Sequence, residues 1–150
     1  MPRRLPTSEQ LRTWRDFIET AEALRGVLAG RLQAETGLSP GDYAVLLTLS
    51  EATDRRLRPS DLAVVISWER SRLSHHLGRM ERRGLIRREG YSGDSRGAFV
   101  ILTDEGSAAF HAATVPHLTA VRELFVEALT PAQLDAVAGI SAALRERIGR

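Results

Sequence analysis

The 150-residue chain contains no cysteine. That excludes a disulfide scaffold, an iron–sulfur cluster, a cysteine-ligated zinc site and a thiol redox sensor. It contains no lysine either, so all 21 basic residues are arginine. Aromatic residues make up only 5% of the chain. No apolar run approaches the roughly 18 residues that would cross a bilayer. The opening residues, Met1-Pro2-Arg3-Arg4-Leu5-Pro6, lack the apolar core of a signal peptide. A soluble cytoplasmic protein with no membrane partner is expected. A Gly-rich phosphate loop, a nucleophile elbow and a His-Glu-x-x-His run are also missing, so no enzymatic activity, cofactor or metal is expected.

What is present is the composition of one globular domain, 43% hydrophobic and 27% charged. A chain of this length buries a core without staples. The net charge of +2 hides a segregation. From Arg55 to Gly97, 11 arginines stand against 5 acids, a net +6, while the remainder holds 10 arginines against 14 acids, a net −4. An arginine-rich coding bias would explain the missing lysine but not this division. A basic middle with acidic flanks points to one face for a polyanion.

Apolar periodicity supplies the elements. Leu11, Trp14, Phe17, Ala21, Leu24, Leu28 and Leu32 recur at steps of three and four, an amphipathic helix with Thr7 and Gln10 as a capping box and Gly37 as its stop. Ser39-Pro40 opens a second, largely buried helix carrying Tyr43, Leu46, Leu47 and Leu49. After a charged break at 54–58, Pro59-Ser60-Asp61 starts a short third helix to Ile66. Ser67-Trp68-Glu69 turns into a fourth, ending near Arg83 before Gly84. Leu85 to Arg88 and Ala98 to Leu102 read as two strands of a β-hairpin around a Gly/Ser/Asp-rich tip. Thr103-Asp104-Glu105 begins a helix expected to reach about Leu129, kinked at Pro116. Thr130-Pro131-Ala132-Gln133 caps the last helix, striped by Leu134, Val137, Ile140, Ala143, Leu144 and Ile148. The fold class is therefore mainly α with a small β-hairpin wing. The terminal helices, 7–36 and 104–150, carry stripes longer than the central unit can cover. They are expected to cover each other, within a chain or between two chains.

Helix, tight turn, helix and hairpin, spanning 39–103, make a winged helix-turn-helix, whose second helix would enter a DNA major groove. Within it Leu73, Leu77 and Met80 would anchor, while Arg70, Ser71, Arg72, Ser74, His75 and Arg79 project from the other faces. Arginine suits this role because its planar fork pairs with guanine O6 and N7 or clamps a phosphate. At the hairpin tip, Asp94-Ser95-Arg96-Gly97 would hold one arginine out toward a narrow minor groove, braced by Asp94.

Three stretches carry a family resemblance: Leu62-Ala63, then Ser71-Arg72-Leu73-Ser74-His75-His76-Leu77, and Met80-Glu81-Arg82-Arg83-Gly84-Leu85-Ile86-Arg87-Arg88. More specific is Asp94-Ser95-Arg96-Gly97 followed by Val100-Ile101-Leu102-Thr103-Asp104-Glu105-Gly106. On these residues the chain resembles the multiple-antibiotic-resistance regulator (MarR) family of bacterial transcription factors. The likeness runs full length, with the terminal helices matching the family's dimerisation domain. It implies a homodimer on a pseudo-palindromic double-stranded DNA operator, often a repressor, released by a small aromatic or acidic effector. It also implies Ser71, Arg72, Ser74 and His75 as groove contacts and Arg96 as the wing-tip contact. The chain departs from the family at Ser67, where glycine is usual, at Glu69, where a serine cap is usual, and at His76, where an aliphatic residue is usual.

His75 and His76 point about 100° apart on a helix, and His111 and His117 are six apart, so neither pair suits one metal. His76 is read as facing inward, coupling a ligand or pH to the recognition helix. Trp14, Phe17, Tyr43 and Trp68 are candidate lining for an aromatic effector, against the ordinary reading of aromatics as core. A sequence-specific regulator is expected. The alternative is a winged-helix protein for non-specific DNA binding or protein contacts, without ligand control.

Overall fold

Four of the helices begin on a hydroxyl residue that caps them, Thr7, Ser39, Thr103 and Thr130, because the first backbone N–H groups of a helix need partners from outside the ladder. The computed structural model describes residues 5–91 and 94–149; the side chains of 91–97 fall outside the described residues. Helix α1 (Ser8–Thr36) opens on a reciprocal box: Gln10 N donates to Thr7 Oγ1 at 3.2 Å and Thr7 N to Gln10 Oε1 at 2.9 Å. Helix α2 (Pro40–Glu51) opens on Ser39 and Asp42, and α6 (Pro131–Ile148) on Thr130 and Gln133, in the same reciprocal way. Helix α3 spans Pro59–Ile66, α4 spans Arg70–Arg82, and α5 spans Asp104–Val121 with Pro116 inside it.

Two features differ from the sequence expectation. The charged break is not only a loop: a single 3₁₀ turn (Thr53–Arg55) leads into a two-residue strand, β1 (Arg56–Leu57). It pairs antiparallel with β3 (Asp94–Leu102), which also pairs with β2 (Ile86–Tyr91), so the wing is a three-stranded sheet in the order β1-β3-β2. Two residues are too few to display a period-two pattern, so β1 leaves no trace in the sequence. The long helix expected to reach Leu129 instead changes pitch after Val121 into one π turn, Arg122–Val126.

The chain divides into two compact units: Ala29–Pro116, and the two ends of the chain up to Leu28 and from His117 onward. The central unit is built around Leu46, Leu49, Leu62, Leu73, Leu77, Met80, Ile86 and Val100, all fully buried. Thr103 and Gly106 join its sheet to α5. Thr103 Oγ1 donates to Gly84 O at 2.6 Å and accepts from Gly106 N at 2.9 Å. A side chain at Gly106 would overlap the carbonyl of Leu85, so only glycine lets the helix start this close to the strand.

Among the end helices, α6 buries none of its residues and α1 buries only Leu32, which belongs to the central unit. Trp14, Phe17, Ile140 and Leu144 line an open groove of about 510 Å³ in the end unit, together with Glu9, Gln10 and Thr13. No helix among the described residues is long and apolar enough to cross a membrane.

Candidate nucleic-acid interface

Helix α3 hands over to α4 through a tight left-handed turn. Ser67 takes φ +58°, Ser67 N donates to Val64 O, and Trp68 N donates to Ala63 O at 2.9 Å. Those two bonds form a Schellman motif, which ends one helix and redirects the chain at once. Glu69 then caps α4 with extended backbone and makes no side-chain capping bond. At its far end α4 stops in the same way, with Gly84 at φ +75° and Leu85 N donating to Met80 O at 3.1 Å.

Period 3.6 divides α4 into two faces. Leu73, His76, Leu77 and Met80 are buried, while Arg70, Ser71, Arg72, Ser74, His75 and Arg79 are exposed. The first turn of α4 contains no acid. Its exposed groups are cations and hydroxyls at the positive end of a helix dipole, an arrangement suited to anionic phosphate and to the acceptor edges of guanine. Arg88 lies beside this helix, with Nη2 donating to Ser74 O at 3.4 Å and Nε 3.8 Å from Glu81.

Beneath α4 lies a charged hub that the sequence reading missed. Asp42 is 3% exposed and takes Ser39 N at 2.9 Å and Arg83 Nη1 at 2.7 Å on Oδ2. His76 Nε2 stands 3.0 Å from Asp42 Oδ1 in a bent approach. Burial alone would raise the Asp42 carboxyl pKa. The bonds from His76, Arg83 and the Ser39 amide outweigh it and hold the carboxyl well below the ordinary carboxylate range. Arg83 also donates to Gly37 O at 3.0 Å, so one guanidinium ties the end of α4 to the α1–α2 turn. An acid three residues beyond Ser39 was the available signal for Asp42. Its second role, partner to a histidine and an arginine far along the chain, is tertiary and had none.

The sequence-derived candidates divide between the two units. Tyr43, Trp68 and His76 lie in the central unit, Trp14 and Phe17 in the end unit. Trp68 meets His76 edge to face with ring centres 5.0 Å apart, and Tyr43 packs on Phe110 at 5.3 Å. Trp14 and Phe17 are largely exposed on α1. His111 Nδ1 bonds to Ser107 O within α5. Asp94, Ser95 and Arg96 belong to β3, but their side chains lie outside the described residues, as do Ser92 and Gly93 altogether.

Comparison with known proteins places this geometry among characterised ones. A family model described as the MarR family matches residues 36–97. The chain is similar to the structure of Sco3205, a MarR family transcriptional regulator from Streptomyces coelicolor solved in complex with DNA. That match has 38% identity and a TM-score of 0.89, over 95% of this chain and 89% of the other. It is also similar to AbsC, a MarR family transcriptional regulator from the same organism, with 34% identity and a TM-score of 0.88 over 98% and 99% of the two chains. Among curated proteins it is 33% identical, over 75 residues, to the HTH-type transcriptional repressor YetL of Bacillus subtilis. The match takes in 50% of this chain and spans 45% of that repressor's length.

Proposed function

The chain belongs to the MarR family of transcriptional regulators, and from that premise we propose that it is a sequence-specific double-stranded DNA-binding repressor acting as a homodimer in the cytoplasm. One observation carries the reading. The helix after the Ser67 turn turns Arg70, Ser71, Arg72, Ser74, His75 and Arg79 to solvent while its other face is locked into the core by Leu73, Leu77 and Met80. A rigid helix with that face fits a major groove, Arg72 reading bases and the remaining polar groups gripping phosphate or base edges. Arg96, with Asp94 and Ser95 beside it, is assigned to the adjacent minor groove. On this reading the protein works by binding rather than by catalysis, and the proteins it resembles are described as transcriptional regulators.

Dimerisation is supported by the end unit. Leu11, Trp14, Phe17 and Ile18 on α1 and Ile140, Leu144 and Ile148 on α6 are all exposed. An isolated soluble chain rarely leaves so continuous an apolar surface in water, and a second copy is the self-complementary cover for it. Control by a small aromatic or acidic effector completes the proposal. Trp68, half-buried beside α4, would report it through fluorescence quenching during titration with small aromatic carboxylates.

Selection from a random duplex library at moderate salt tests the reading. The expected outcome is a twofold-symmetric motif with half-sites about 10 bp apart. Arg72→Ala then relaxes preference at one position, whereas loss of a phosphate-gripping arginine weakens all duplexes alike and flattens the salt dependence. Retention of duplexes without an enriched motif would replace this reading with non-specific binding.

A further inference from the structure

We propose that Trp68 and His76 are positioning residues that hold two arginines of α4, Arg72 and Arg79, in the poses they use on DNA; the inference rests on the DNA-binding reading above. Arg72 Cζ lies 4.0 Å from the centre of the Trp68 ring, a cation–π contact. Arg79 Nη2 donates to His76 Nδ1 at 3.1 Å. A guanidinium offers only donors, so Nδ1 must present its lone pair and the imidazole proton must sit on Nε2. That is the nitrogen facing Asp42 Oδ1 at 3.0 Å. The carboxylate lies against one side of the imidazole, the imidazole accepts from Arg79 on the other, and its ring stands at 87° to that of Trp68.

The two rings have little room to move. A Cβ built on Gly41 would come within 2.6 Å of the Trp68 ring and 2.9 Å of His76 Cε1, so both rings rest directly on the backbone of α2. Trp68 is also held by its own backbone, as the residue that closes the Schellman motif after α3. Asp42 is fixed in turn by Ser39 and Arg83. An exposed arginine on a free helix face samples many rotamers and must be ordered when it binds. Here two exposed guanidiniums are tethered to rings packed against α2, one half-buried and one buried, so less freedom is lost on engaging DNA. The contacts also set where each guanidinium stands along α4, which makes Trp68 and His76 determinants of specificity without touching a base.

The test is a double-mutant cycle on the full-length protein, using the duplex enriched from the random library and one unenriched duplex. Trp68→Leu is expected to weaken binding to the enriched duplex roughly tenfold, the range of a cation–π tether, and to change the unenriched duplex little. In an Arg72→Ala background the same substitution is expected to add no further loss. Trp68→Phe, which keeps a ring face under the guanidinium, is expected to recover most of the affinity. His76→Leu and Arg79→Ala should be non-additive in the same way. Thermal unfolding of each variant separates support of the arginines from support of the fold. If Trp68→Leu does not fold, the cycle is run with Trp68→Phe against Arg72→Ala, for which a two- to threefold coupled loss is expected. Multiplying losses, or equal losses on both duplexes, would overturn the proposal while leaving DNA binding intact. A wild-type protein that enriches no duplex would overturn both.

Discussion

The two compact units use the same device, helices with an apolar stripe, to opposite ends. In the central unit the 13 residues of α4 bury four side chains, and Leu73, Leu77 and Met80 are at most 1% exposed. In the end unit the 18 residues of α6 bury none, and Trp14 on α1 stays 61% exposed. A stripe becomes core only where other elements of the chain cover it. In the central unit α2, α3 and the sheet supply that cover. The difference teaches that one part of this molecule is complete as a single chain, whereas the other is the part that the proposed dimer would finish.

The largest expected effect is at the unfinished surface. Leu144→Asp places a charge at the centre of the apolar groove lined by Trp14, Phe17 and Ile140. It is expected to raise the dimer dissociation constant by roughly 100-fold, because a charge desolvated without a partner costs several times what the leucine contributes. Sedimentation at a series of concentrations reads this directly. Stability should fall as well, since folding of a dimer is linked to its concentration. A Leu144→Asp protein that sediments as an unchanged dimer would break the contrast between the units.

Of comparable size is a cavity inside the completed core. Leu77→Ala is expected to lower unfolding free energy by about 3 kcal/mol, read from the denaturant midpoint, because its side chain is 1% exposed among other fully buried residues. The dimer constant should be unchanged. The comparison sharpens if each substitution moves only its own observable.

Asp42 adds a pH dependence to the same core. Its folded pKa lies below its ordinary value of 3.8 because, although burial raises it, hydrogen bonds from His76 and Arg83 and from the Ser39 amide lower it further. A carboxyl with a depressed folded pKa binds fewer protons folded than unfolded. Its stabilisation is therefore complete above about pH 4, near its unfolded pKa, and is lost as the pH falls through the folded value. Asp42→Asn is expected to cost about 2 kcal/mol at neutral pH and to flatten the acid limb of the stability profile. An unaltered acid limb would show that other carboxylates set it.

Much of this was legible in residue order, and what was not had a physical reason. Helix starts were readable because Thr7, Ser39 and Thr130 each act on backbone within three residues of themselves. The division of α4 into an arginine face and a leucine face was readable because helical periodicity is local. Strand β1 was hidden because its pairing to Val100 and Ile101 lies far along the chain and its two residues carry no pattern. Asp42 was hidden for a related reason. Its capping role was local, but its partners His76 and Arg83 approach only once α2 and α4 have packed. The π turn after Val121 likewise follows no composition signal at Arg122–Val126.

The smallest expected effect isolates backbone conformation from packing, and the molecule contains its own control. The helix-turn-helix ends both of its helices with a Schellman motif, one at Gly84 with φ +75° and one at Ser67 with φ +58°. A Cβ on Gly84 would meet no atom within 4 Å, so glycine is favoured there by its dihedral angles and not by space. Ser67 occupies the equivalent position with a Cβ, which the left-handed region disfavours by roughly 1–2 kcal/mol. Glycine loses more backbone freedom on folding, which returns part of that difference. Ser67→Gly is therefore expected to stabilise the protein by about 0.5–1 kcal/mol, and Gly84→Ala to destabilise it by a similar amount. Both are read from urea midpoints at equal protein concentration. Because Ser67 is exposed and its side chain packs in neither unit's core, DNA affinity and the dimer constant should stay fixed while the midpoint rises. A Ser67→Gly midpoint at or below wild type would mean that the serine hydroxyl supports its own strained turn, and the two helix ends would no longer be equivalent.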